Sequence, residues 1–275
     1  MAIIQADNIH FFYPGGVKAL NGVNLSIEKG QSVAIIGRNG SGKTTLVKHM
    51  NGLLKPAQGR MLVNGESTGE KEPSELATQV GLVFQNPDDQ IFSTSVWDEV
   101  AFGPKNLGCS EAEIKNRVEL ALQTVNLLSC KDLHPYDLTI TERKLLCLAS
   151  ILAIRPEVIA LDEPTTAQDQ LGVQQLGSIV QQVQKSGITV VTITHDMDFV
   201  AEFFERTIVM RKGEVILDGP TAEVFSQPEI LMTTYVKPSP MAQLAKEIGA
   251  DRNAITVQKM VQWIVDRGQH IAKTA

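Results

Sequence analysis

Cysteine is scarce in this 275-residue chain: Cys109, Cys130 and Cys147 are the only three. An odd number at wide spacing, with no CxxC pair, excludes a disulfide framework and predicts a chain that works reduced, in the cytosol. A basic excess is also missing. The net charge is −6, which argues against a nucleic-acid partner. The longest apolar run, "LLCLASILAI" over 145–154, is half of the roughly 20 residues that a membrane-spanning helix needs. The opening "MAIIQADNIHFFYPGG" turns polar within six residues, so no signal peptide is expected. Low-complexity segments and internal repeats are absent as well. What remains is ordinary globular material, 43% hydrophobic and 20% charged, enough for one large domain with a smaller appendage.

Three apolar runs end abruptly in loops: "SVAIIG" (32–37), "VIALDEP" (158–164) and "ITVVTITHD" (188–196). Runs without alternation suit strands covered on both faces, hence a mainly parallel sheet in an α/β fold. By contrast "AIIQADNIHFFY" (2–13), "ALNGVNLSIEKG" (19–30) and "GRMLVNGE" (59–66) alternate, as strands of an antiparallel sheet beside the core do. The segment 109–150 reads as an inserted helical subdomain, opened by the capping pair Ser110 and Glu113. "TIVMRKGEVILDG" (207–219) predicts a closing hairpin. After the Pro-rich "VKPSPM" (236–241), two apolar stripes follow at helical spacing. One is Met241, Leu244, Ala245 and Ile248; the other is Val257, Met260, Val261 and Ile264.

The chemistry gathers at the strand ends. "GRNGSGKT" (37–44) fits G-x-x-x-x-G-K-[ST] between a strand and a helix. Gly37, Asn39, Gly40, Ser41, Gly42 and Thr45 would wrap backbone N–H groups around phosphates at a helix N-terminus. Lys43 would reach the β- and γ-phosphates, and the Thr44 hydroxyl would ligate Mg²⁺. Asp162 and Glu163 end the next strand, where the first acid holds the metal shell and the second polarises the attacking water. Gln85 follows "VGLVF", placed to meet Mg²⁺ and that water. His195 ends a third strand and would hydrogen-bond the γ-phosphate.

The order Lys43, Gln85, Asp162–Glu163, His195 resembles the nucleotide-binding subunits of ABC (ATP-binding cassette) transporters, over about residues 3–225. The resemblance implies a P-loop NTPase (RecA-like) core with an antiparallel β subdomain and an inserted helical subdomain at about 87–150. It also implies ATP and Mg²⁺ as ligands, Tyr13 stacked on adenine, and a dimer sandwiching two ATPs. The stretch "VFQNPDDQIFSTSVWDEVAFGPKNLG" (83–108) is similar to energy-coupling factor ATPases, which drive uptake of vitamins or transition-metal ions. Residues 226–275 resemble that family's small helical C-terminal extension. The tail stripes would then hold two ATPase subunits together, or fold back on their own domain; the sequence leaves both open. Segment 86–106 would accept a transmembrane coupling subunit, itself joined to a substrate-binding membrane subunit, at the cytoplasmic face of the membrane.

One motif departs from the pattern. Where the family carries Leu-Ser-Gly-Gly-Gln, this chain has Leu138, Thr139, Ile140, Thr141 and Glu142. Two β-branched residues obstruct the close backbone approach that glycine permits, and a carboxylate replaces an amide beside a phosphate. Thr139 and Glu142 instead form a capping box, preserving the helix start. Gln168 also replaces the usual leucine of the D-loop, while Asp169 is retained. The expectation is an ATPase with a competent phosphate site but a poor signature, hence a heterodimer with a second ATPase subunit bearing an intact one. A soluble non-transport ABC ATPase and an ATP-dependent interaction module are the competing readings.

Overall fold

A computed structural model describes residues 1–274, with side chains to Arg267. Ten strands form two sheets. The smaller, of order β2-β1-β4-β5, joins β1 (Ala2–Phe12), β2 (Lys18–Glu28), β4 (Gln58–Val63) and β5 (Glu66–Ser67) in antiparallel register. The larger, of order β10-β9-β3-β8-β7-β6, joins β3 (Ser32–Ile36), β6 (Val80–Val83), β7 (Val158–Asp162), β8 (Thr189–Ile193), β9 (Arg206–Arg211) and β10 (Glu214–Pro220). All its neighbours run parallel except the β9–β10 hairpin. The expected parallel core, antiparallel flank and closing hairpin are all present.

The apolar runs are explained by two cores, one on each face of the larger sheet. In β3, Val33 and Ile35 point to one face and Ala34 and Ile36 to the other, all fully buried. The first face meets the antiparallel sheet and α1 (Lys43–Met50). The second meets α5 (Ile140–Ile154), α6 (Gln170–Lys185) and α7 (Met197–Phe203). Each buried Val, Leu or Ile contributes about 1.5–3 kcal/mol, so a strand serving both faces has no room for polar alternation.

The helical subdomain comprises α3 (Val96–Asn106), α4 (Glu111–Thr124) and α5, which pack on one another. Both expected capping boxes form: Ser110 with Glu113 at α4 and Thr139 with Glu142 at α5. The remaining helices are the short α2 (Pro73–Leu76), α8 (Thr221–Phe225) and α9 (Pro228–Met232), then α10 (Pro240–Glu247) and the longer α11 (Val257–Thr274) in the tail. The two expected tail stripes divide. Ala245 and Met260 pack inward with Ala254, Met241 and Trp263, while Ala242 and Ile255 join the main core. Leu244, Ile248, Val257, Val261 and Ile264 remain exposed, with Val265 beside them.

Strand β1 is bent near its centre. The β1–β4 register shifts between Asp7 and His10, where Asn8 adopts φ 47°. Gly59 lies against this bulge at φ +83°; a Cβ there would sit 2.2 Å from the Asn8 carbonyl oxygen. Gly59→Ala therefore combines a left-handed backbone with a backbone clash, and should cost more than about 2 kcal/mol. The check is thermal unfolding, with a lowered Tm expected; no change would mean the bulge yields freely. Cys147 lies fully buried on α5, and burial pushes its thiol pKa up to about 12. A thiol reagent should leave it unmodified in the native protein and react with it after denaturation, whereas the half-buried Cys109 and Cys130 react in the native state.

Candidate nucleotide site

The loop from Gly37 to Gly42 links β3 to α1 and takes a conformation that its glycines alone permit. Gly42 has φ +105°, and a Cβ would lie 2.5 Å from the Ala19 carbonyl oxygen. At Gly37 a Cβ would approach the Met210 carbonyl oxygen to 2.2 Å. The loop therefore rests tightly on β2 and β9. The loop leads directly into the N-terminus of α1, a position that favours an anion.

Lys43 is buried under this loop, 6% exposed, and its Nζ donates to the Gly37 and Arg38 carbonyls at 2.8 and 3.3 Å. Burial lowers its pKa, opposed by the nearby charges of Glu163 and Asp162. The Thr44 hydroxyl donates to Asp162 Oδ1 at 3.4 Å, bridging α1 to the end of β7. Burial raises the Asp162 pKa, and the Thr44 bond works in the other direction. A cation between Thr44 and Asp162 would offset that desolvation. The oxygen-only donors Thr44, Asp162 and Gln85 are the set that a hard ion such as Mg²⁺ takes. The residues therefore fit the metal.

Glu163 is 8% exposed and adopts φ 47°, a left-handed conformation that costs a non-glycine residue of order 1–3 kcal/mol. Two bonds hold it there. Its N–H donates to the Ile193 carbonyl at 2.8 Å, and its Oε2 lies 2.7 Å from His195 Nδ1. A donor at Nδ1 would fix the imidazole tautomer, turning Nε2 outward. Lys43, Thr44, Thr45, Gln85, Asp162, Glu163 and His195 line one open cleft of about 310 Å³, together with Asn39, Gly40 and Gly42. Residues from four strand ends and up to 156 positions apart in sequence thus meet at one point. Ser41 sits in the loop, its buried Oγ without a hydrogen-bond partner.

Tyr13 lies just beyond β1, outside the lining of this cleft. Its hydroxyl pairs with Thr45 Oγ1 at 3.1 Å, and its ring stands edge-on to Phe11 at 5.0 Å. The first contact ties it to the first turn of α1, the second to the end of β1.

The stretch Thr139 to Glu142, expected as a degenerate signature, occupies the N-terminus of α5. Glu142 Oε2 accepts from both the N–H and the hydroxyl of Thr139, each at 2.8 Å, and Thr139 Oγ1 accepts from the Glu142 N–H at 3.2 Å. The amides of Thr139 and Glu142 are therefore consumed within the chain. Asp169 caps α6 by accepting from the Gly172 N–H at 2.8 Å.

Sequence reasoning missed three polar side chains around this region. Gln90 accepts from the Phe84 N–H at 3.1 Å and donates to the Cys147 carbonyl at 3.1 Å. Arg143 binds Asp88 at 2.9 Å. Lys144 is buried, with its Nζ on the Pro164 and Thr166 carbonyls. No local motif marks them, because each acts on backbone or side chains distant in sequence.

The profile of the ABC transporter family matches residues 20–166. An energy-coupling factor transporter ATP-binding protein, EcfA, of Methanoculleus marisnigri is 42% identical over 256 residues, spanning 93% of this chain and 92% of that protein. A protein of Caldanaerobacter subterraneus named as an ABC transporter ATP-binding protein is 42% identical over 259 residues, or 94% of this chain. The match spans only 45% of that relative's length. Among solved structures, CbiO1 from Clostridium perfringens, described as part of the ABC transporter complex CbiONQ, aligns with TM-score 0.78 at 35% identity. That alignment covers 90% of this chain and 99% of CbiO1. With the phosphate loop, the paired acids and the terminal histidine in one cleft, this chain belongs to the ABC transporter family of ATP-binding proteins.

Proposed function

We propose that the chain is the ATP-binding and hydrolysing subunit of an energy-coupling factor importer, working at the cytoplasmic face of a membrane. No helix among the described residues is long and apolar enough to cross the membrane itself. The observation that carries this reading is the asymmetry of the two functional edges. The phosphate cleft gathers Lys43, Thr44, Gln85, Asp162, Glu163 and His195, while at the N-terminus of α5 the Thr139 and Glu142 amides are taken up within the chain.

ATP would lie with its phosphates along Gly40, Gly42, Lys43, Thr44 and Thr45, and with its adenine against Tyr13. Mg²⁺, held by Thr44, Asp162 and Gln85, would neutralise phosphate charge. Glu163, with Oε2 occupied by His195, keeps Oε1 to polarise the attacking water, and its restrained backbone fixes the direction of attack. His195 Nε2 would hydrogen-bond the γ-phosphate.

The partner that completes this site is a second ATPase subunit with an intact signature, giving a heterodimer with one good and one impaired site. Room for two such units exists in the Caldanaerobacter relative, of which this chain matches less than half. The exposed stripe of Val257, Val261 and Ile264 on α11 would join the two subunits through the C-terminal extension, residues 226–275. Phe92 and Phe102, exposed and packed edge to face with centroids 4.6 Å apart, would receive the transmembrane coupling subunit beside α3. The cargo is a vitamin or a transition-metal ion, captured by a substrate-binding membrane subunit.

Lys43→Ala in the assembled complex should lower ATP hydrolysis by about 100-fold or more, the usual scale for losing one charge-stabilising donor. Unchanged hydrolysis would move catalysis to the partner's site. For the isolated chain, hydrolysis should be slow, and Ile140→Gly with Thr141→Gly and Glu142→Gln should speed it by an order of magnitude, about 1.4 kcal/mol. A parent already fast and abolished by Glu163→Gln would sink the pairing argument.

A further inference from the structure

The D-loop, residues 165–169, is held from within the same chain. Lys144, on the first turn of α5, is 8% exposed. Its Nζ donates to the Pro164 carbonyl at 3.2 Å and to the Thr166 carbonyl. Among the described residues it makes no ion pair with a carboxylate. Burying an unpaired ammonium is costly, and the cost is met only if its donors find good acceptors. Two backbone carbonyls flanking Thr165 supply them.

Those carbonyls belong to the peptide units directly after Glu163. The Pro164 carbonyl accepts a second bond, from Gln168 Nε2 at 2.9 Å. Thr165 Oγ1 pairs with Thr194 Oγ1 at 3.4 Å, and the Thr166 N–H returns to the Glu163 carbonyl at 3.3 Å. Ala167 and Glu163 both adopt left-handed backbone, at φ 58° and 47°. Two strained residues separated by three others persist only where surrounding bonds over-determine them. The preceding residue of α5, Arg143, reaches the other way, to Asp88 in the segment after Gln85. One helical turn therefore grips the loops on both sides of the cleft.

We infer that Lys144 is a positioning residue for hydrolysis: it clamps the Pro164 and Thr166 carbonyls and so holds Glu163 in its attacking orientation. The inference rests on the reading that hydrolysis occurs at this chain's own Glu163. It also gives the altered first turn of α5 a use. Having lost the phosphate-reading glycines, that turn supports the acid of its own subunit.

The test is steady-state hydrolysis in the assembled complex, with Lys144→Met, Lys144→Arg and Lys43→Ala side by side. Lys144→Met should lower kcat by 10- to 100-fold, the scale of a misplaced catalytic group, with KM for ATP within about twofold of the parent. Lys144→Arg, which keeps the charge and more than two donors, should recover at least a third of the activity. Should Lys144→Met fail to fold, Lys144→Gln, able to reach one carbonyl, should give an intermediate kcat at unchanged KM. An unchanged kcat in both neutral variants, a KM that rises in step with the fall in kcat, or no recovery with arginine overturns the clamp. Lys43→Ala separates the two readings: if it leaves hydrolysis intact, the assignment of the site fails, whereas if it abolishes hydrolysis while Lys144→Met does not slow it, only the clamp fails.

Discussion

Parallel pairing between β3, β8 and β7 is the constraint on which the site depends. The ladder sets Ile35 beside Ile193, and Ile193 beside Asp162, so all three strands end at the same edge. Loops leaving that edge must start next to one another, whatever their separation in sequence. The phosphate loop, the paired acids and His195 are therefore neighbours by register. The two hydrophobic cores fix the register in turn, because a slip of one residue would exchange the buried faces of every strand. Chemistry at the edge is positioned by packing in the middle.

Much of this was legible in the sequence, for physical reasons. Continuous apolar runs such as "SVAII" and "TVVTI" carry the two-faced burial directly, and a glycine loop between a strand and a helix has few other uses. The capping boxes at Ser110 and Thr139 are local, so spacing alone reveals them. Other features have no such signature. The inward and outward halves of the tail stripes look identical as sequence, and only the fold turns Ala245 and Met260 in while leaving Leu244 and Val261 out. Tyr13 was expected at the nucleotide, yet its bond to Thr45 shows how it is anchored, which composition cannot convey. Lys144 was invisible because a lysine at a helix start reads as surface until its carbonyl partners, 20 and more residues on, are seen.

The first turn of α5 is closed by its own side chains. Helix N-termini need their free N–H groups satisfied, by a phosphate or by a side chain. Thr139 and Glu142 meet it internally, which stabilises the isolated chain and removes the incentive to bind an anion there. The same turn is stiffened by Arg143 and Lys144 on either side.

The tail shows a similar division of labour across α10, α11 and the turn between them. Its inward residues, Ala245, Ala254 and Met260, form a cluster too small to fold alone, and it is anchored through Ala242 and Ile255 to the main core. The outward residues of α11 carry none of that burden. Mutations on the outer face can therefore accumulate without threatening the fold, a latitude that the inward cluster does not share.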